Sequence, residues 1–277
     1  MIKDIVLALA VGAAQDPARD YAVSVAAAFN AHIAAIGFAY EPMVPPVDIG
    51  NAVPFDFIDA QREENTKAAT DAIAGFEEAA RRAAVSAESR LMDATFAGAG
   101  SVFGSIARSF DLAVVGQTDP EAATDEDMLI EGALFESGRP VLVVPYIQRT
   151  GLKLDRVLAC WDGSRNAARA INDAMPFLAR AKAVDVVTVS GEKYKRDAIP
   201  GADIAQHLAR HGLNIELRQI AAGGLDVANA ILSDAADRGA DLIVMGGFGH
   251  SRLREFVLGG ATRGILESMT VPALMSH

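Results

Sequence analysis

Residues 241–263 read DLIVMGGFGHSRLREFVLGGATR. An apolar run of strand character ends at Gly246, glycines follow at 247 and 249, and two more stand at 259 and 260. Glycine loses the most backbone freedom on folding, so five in one connection imply a backbone that needs positive φ or that something approaches closely. The second cluster opens a stretch of helical spacing. Unpaired N–H groups and the dipole at a helix start favour negative charge, which makes an anion the candidate guest.

Working outward, the same apolar run occurs earlier in the chain. Asp111 to Gly116 reads DLAVVG, against DLIVMG at Asp241 to Gly246. Lys3 to Leu9 (KDIVLAL) matches Leu154 to Cys160 (LDRVLAC), and Phe135 to Val144 (FESGRPVLVV) matches Leu266 to Met275 (LESMTVPALM). The chain is two copies of one unit, with domains expected at 1–148 and 149–277.

In the second copy, strands at 155–160, 184–190, 214–220, 241–246 and 271–275 alternate with helical stretches at about 164–180, 201–212, 226–239 and 260–268. The first copy repeats the order, with strands near 3–9, 33–39, 89–95, 111–116 and 141–145. Such alternation implies right-handed crossovers. The expected fold is α/β: two similar open-sheet domains, each a mostly parallel five-stranded sheet with helices on both faces. Each copy ends in an apolar strand with an open edge, so the two final strands are expected to pair and make the chain a pseudo-dimer. Glu41 to Phe57 holds four of the eleven prolines and reads as a long loop before a helix beginning near residue 57.

Composition bounds the function. The 277 residues are 51% hydrophobic and 22% charged, enough for a buried core. The single cysteine, Cys160, excludes an internal disulfide, and no apolar run reaches the roughly eighteen residues of a membrane span. The N-terminus carries no basic segment with a cleavage site, so a cytoplasmic protein is expected. Residues 1–150 hold 10 Lys and Arg against 22 Asp and Glu, whereas 151–277 hold 15 against 14. A net charge of −11 without a basic stripe argues against nucleic acid, and only the second half suits a polyanion.

Two common phosphate loops are excluded. GxxxxGK[ST] needs a lysine, and none occurs from 197 to 277; GxGxxG fails because Arg252 stands where its third glycine belongs. Instead the stretch resembles the universal stress protein family, whose nucleotide-binding members carry Gly, two residues, Gly, nine residues, Gly, then Ser or Thr. Gly246, Gly249 and Gly259 match at those intervals, and VLACWDGS at Val157 to Ser164 is similar to the family's first strand and its acidic turn.

The resemblance implies an adenine nucleotide, ATP with any Mg²⁺ carried on its phosphates, between the ends of the first and fourth strands of the second copy. Asp162 would accept from the adenine edge, beside the backbone of Cys160 and Trp161, with Val189 and Met245 lining the base. Gly246, Phe248, Gly249, Gly259, Gly260 and Ala261 would meet ribose and phosphates. Asp162 also reads as a helix cap near Ser164, and Trp161 and Met245 as core residues. Gly260 departs from the family's Ser or Thr and removes one hydroxyl, which Arg252 or Arg254 could replace. The first copy lacks the pattern: Val11 takes the place of Asp162, Asp119 that of Gly249, and Gly132 is its one glycine near the second cluster. That half is expected to be structural or partner-binding.

Catalytic signals are thin. His207 and His211 share a helix face but lack a third ligand or the glutamate of HExxH, so no metal site is expected. No base for an attacking water is evident. The expected function is a nucleotide-binding stress-response or regulatory protein with one site and little turnover. A non-nucleotide interaction module, a further homodimer included, and a slow ATP hydrolase remain as alternatives.

Overall fold

The computed structural model describes residues 1–42, 54–120, 126–190, 201–222, 224, 226–247 and 260–277. In the first half, strands β1 (Asp4–Ala8), β2 (His32–Tyr40), β3 (Ala87–Ala94), β4 (Leu112–Gly116) and β5 (Val141–Val144) alternate with helices α1 (Pro17–Phe29), α2 (Phe55–Arg82), α3 (Ala99–Ala107) and α4 (Asp127–Glu136). The second half follows with β6 (Arg156–Cys160), α5 (Arg165–Asp173), α6 (Met175–Leu178), β7 (Ala183–Ser190), α7 (Ala202–Arg210), β8 (Ile215–Ala221), α8 (Val227–Arg238), β9 (Leu242–Gly246), α9 (Gly260–Ser268) and β10 (Ala273–Ser276).

All ten strands join in one sheet, ordered β3-β2-β1-β4-β5-β10-β9-β6-β7-β8. Each half is parallel within itself, and the halves meet where β5 and β10 run antiparallel, with Leu142 opposite Leu274. The expected pairing of the two final strands is present. What separate domains would not have is the continuity: each face of the sheet carries a core that runs through both halves. Alternation along the strands assigns Ile5, Leu7, Val157 and Leu274 to the face covered by α1, α2, α5, α6 and α7. Val6, Leu158, Ile243 and Met275 go to the face under α3, α4, α8 and α9.

The stretch expected as one helix over 164–180 is two. Pro176 has no amide to bond back to Asn172 and its ring crowds that carbonyl, so α5 ends at Asp173 and α6 starts at Met175. Helix α2 begins at Phe55, inside the expected 41–57 loop, and residues 43–53 of that loop lie outside the described residues. The edge strands β3 and β8 are mostly exposed or half-buried and carry charge, Glu88 and Arg90 on one and Glu216 and Arg218 on the other, which discourages further strand addition. Under α8, fully buried Asp185 is held by Arg156 and by Arg238, whose Nε is 3.0 Å away.

Candidate functional site

In each half the strand order reverses between the first and fourth strands, β1 and β4 or β6 and β9. Crossovers on either side of that point leave on opposite faces, which opens a crevice beyond the strands' carboxyl ends. In the second half, Leu158 is level with Ile243 and Ala159 with Val244, so the same register brings the ends of β6 and β9 side by side. Trp161 extends β6 by donating its amide to the Val187 carbonyl at 2.8 Å, which brings β7 and Val189 to the same edge.

The turn leaving β6 is built by its own side chains. Asp162 Oδ1 accepts from the Ser164 amide at 2.9 Å, Gly163 takes a φ of +75°, and Ser164 Oγ caps α5 by accepting from the Ala167 amide at 3.1 Å. The cap is therefore Ser164, while Asp162 shapes the turn with one oxygen. Its carboxylate is exposed, and no partner for Oδ2 is found among the described residues.

The strand end of β9 is glycine for packing reasons. A β-carbon on Gly246 would stand 2.7 Å from the Ala167 nitrogen and 2.9 Å from Asn166 Cβ, and one on Gly247 would stand 2.7 Å from Leu134 of α4 in the other half. Buried Asn166 then ties the turn down, donating from Nδ2 to the Gly247 carbonyl at 2.7 Å, with His277 Nδ1 3.2 Å from the same oxygen. Neither Asn166 nor Leu134 was legible as part of this edge. Their roles depend on which helix abuts the strand end and on the pairing of the two halves.

The remaining expected residues divide. Side chains of Cys160, Val189 and Met245 all pack on the α8 and α9 face, whereas Trp161 packs on the opposite face with α7. Met245 is 5% exposed, so its side chain belongs to the core and only its backbone reaches the edge. Burial pushes the Cys160 thiol up to about 12, with the nearby Asp234 and Asp162 carboxylates adding to the effect. Gly260 and Ala261 form the first turn of α9, and a β-carbon on Gly260 would meet nothing within 4 Å among the described residues. Phe248, Gly249 and Gly259, with Arg252 and Arg254, lie outside the described residues.

The first half's counterpart is arranged differently. Val11 occupies the turn after β1, where buried Asp16 caps α1 by accepting from the Arg19 amide at 2.9 Å and also accepts from the Ala10 amide at 3.1 Å. Burial raises the Asp16 carboxyl above its ordinary range, against the lowering effect of these two bonds. Gly132 is inside α4, pressed against Gly100 of α3.

Residues 153–277 match the model of the universal stress protein family. Those residues carry a universal stress protein family domain. Over 174 residues the chain is 26% identical to universal stress protein Slr1230 of Synechocystis sp., covering 60% of this chain and 57% of that one. It thus spans little more than half the length of that relative. A universal stress protein structure from Archaeoglobus fulgidus superposes with a TM-score of 0.73 at 16% identity, covering 99% of this chain and 97% of the other. A putative universal stress protein of Pseudomonas aeruginosa gives 0.62 at 16% identity over 99% and 93%. These two likenesses establish the tandem α/β fold.

Proposed function

We propose that this protein binds one molecule of ATP at the crevice between β6 and β9, with little or no turnover, and that ligand occupancy sets its regulatory state. The observation that carries the reading is the arrangement at one sheet edge: an exposed carboxylate at Asp162 after β6, and the start of α9, at Gly260, on the chain that leaves β9. Asp162 Oδ2 accepts from the adenine amino group, the Val189 side chain borders the base, and the α9 N-terminus receives phosphate charge. The loop from Phe248 to Gly259 completes the phosphate contacts, and Mg²⁺ arrives on the phosphates rather than on protein ligands.

Titration calorimetry tests this directly. One equivalent of ATP per chain is expected, because the first half has Val11 and Asp119 in place of Asp162 and Gly249. GTP should bind more weakly, since guanine presents a carbonyl to the carboxylate. Gly249→Asp adds a carboxylate to the phosphate-binding pattern, and at an effective dielectric near 20 one unit charge about 4 Å from another costs about 4 kcal/mol, or close to a thousandfold. The variant should stay folded and lose ATP-dependent thermal stabilisation. Two equivalents of similar affinity, or an unaffected variant, contradict the reading.

A second reading has its own support. Gly246 and Gly247 are each accounted for by close packing, and Gly260 lacks the family's hydroxyl. If millimolar ATP with Mg²⁺ does not stabilise the wild type, the chain acts as an interaction module through its surfaces.

A further inference from the structure

Beyond the starts of β1, β4 and β5, at the edge where the antiparallel junction also brings the ends of β10, β9 and β6, the seam between the halves opens into a cleft of about 660 Å³. The first half contributes the start of β1, the end of α1 and the turn before β5; the second contributes α5 and α6. Three arginines line it, Arg139, Arg169 and Arg180, in a protein whose net charge is −11. Its two carboxylates are already engaged. Asp111 Oδ2 accepts from the Lys3 amide at 2.7 Å and the Asp4 amide at 3.2 Å, and Asp173 Oδ2 accepts from Ser276 Oγ at 2.9 Å beside Arg169.

Each guanidinium spends one edge on structure. Arg139 donates to the Arg108 carbonyl from Nε and Nη2, Arg169 donates to the Gly138 carbonyl across the seam, and Arg180 donates to the Ala28 carbonyl while lying 4.1 Å from the Phe29 ring centroid. These bonds orient the forks and leave further N–H groups on each. They explain where each arginine is held, not why three converge on one cleft. The position in α1 equivalent to Arg169 of α5, counted from the caps Asp16 and Ser164, is Tyr21, which is 2% exposed. One seam is therefore plugged by an aromatic ring, and the other is open and cationic.

We infer that this cleft is a binding site for a small organic phosphate, its phosphate held by Arg139, Arg169 and Arg180 and its apolar body against Phe29 and Met175. Arginine forks match phosphate oxygens in pairs. A cleft of this size with an apolar floor and a few convergent charges suits a ligand of small-molecule dimensions. The site is separate from the crevice between β6 and β9, and it binds across both halves.

Phenyl phosphate is the probe, titrated calorimetrically into the full chain. Saturable binding of one equivalent in the micromolar to millimolar range is expected, weakened tenfold or more in Arg169→Gln. Because Arg169 also bridges the seam, Arg139→Gln, whose bonds stay within the first half, must weaken binding as well while the thermal midpoint stays close to wild type. Gly249→Asp must leave phenyl phosphate binding intact. No binding at millimolar probe, binding as tight as wild type in either arginine variant, or loss in Gly249→Asp overturns the proposal; the last result would move the probe to the glycine cluster.

Discussion

At the residue scale, two positions carry consequences that can be measured. Gly260 begins α9, and no atom of the described residues lies within 4 Å of where its side chain would project. Serine there displaces none of the described residues and restores a hydroxyl at the helix start. Gly260→Ser should therefore tighten ATP binding by the worth of one neutral hydrogen bond, about 0.5–1.5 kcal/mol, or up to roughly tenfold. Unchanged or weaker affinity by calorimetry would place the phosphates elsewhere. Cys160 is the other position. Its thiol, pushed up to about 12, stays protonated through neutral pH. At pH 8 such a group is about one part in ten thousand thiolate, against roughly a quarter for an ordinary cysteine. Iodoacetamide should label the native protein slowly, faster as pH rises, and rapidly at pH 8 only after unfolding in urea. Quick labelling of the folded chain would show that the sulfur is not enclosed.

At the element scale, glycine serves close packing in both halves. In the second half it ends β9 and starts α9, and a β-carbon on Gly264 of α9 would lie 2.6 Å from Ala228 Cβ of α8. In the first it lets two helices touch: a β-carbon on Gly132 of α4 would lie 2.0 Å from the Gly100 carbonyl oxygen of α3, and one on Gly104 would lie 2.3 Å from the Gly132 oxygen. Gly132→Ala has no flexible side chain to displace and must push α3 and α4 apart. A loss of at least about 2 kcal/mol in urea unfolding is expected, although alanine is the better helix former. A neutral or stabilising result would mean that the helices separate freely. Gly132, the one glycine of the first half near the position of the second cluster, is thus a packing residue of the helix pair.

At the scale of the whole molecule, the β5–β10 junction turns two repeats into one structure. Leu142 and Leu274 are both fully buried at its centre, and each core passes through it. Unfolding one half would expose the other half's strand edge and part of both cores, so the halves should unfold together. Trp161, the single tryptophan, reports on the second half alone, while far-ultraviolet circular dichroism reports on both. Their urea midpoints should coincide; a separate dichroism transition before the tryptophan signal changes would show the first half to be an independent domain. The junction also brings Leu134 of the first half against Gly247, so the half without the nucleotide pattern forms part of the wall behind the other's glycine turn.

The repeats and the order of strands and helices were determined by sequence alone, because apolar periodicity and the placement of Gly and Pro act locally and leave a visible spacing. The same holds for the Asp-Gly-Ser turn after β6, where a glycine at positive φ and a serine cap are short-range devices. Tertiary structure alone decided that Gly246 and Gly247 face Asn166 and Leu134, that Met245 is core, and that one seam stays open around three arginines while the other is filled by Tyr21. Those facts depend on contacts between segments far apart in the chain, and the sequence of either segment carries no record of its partner.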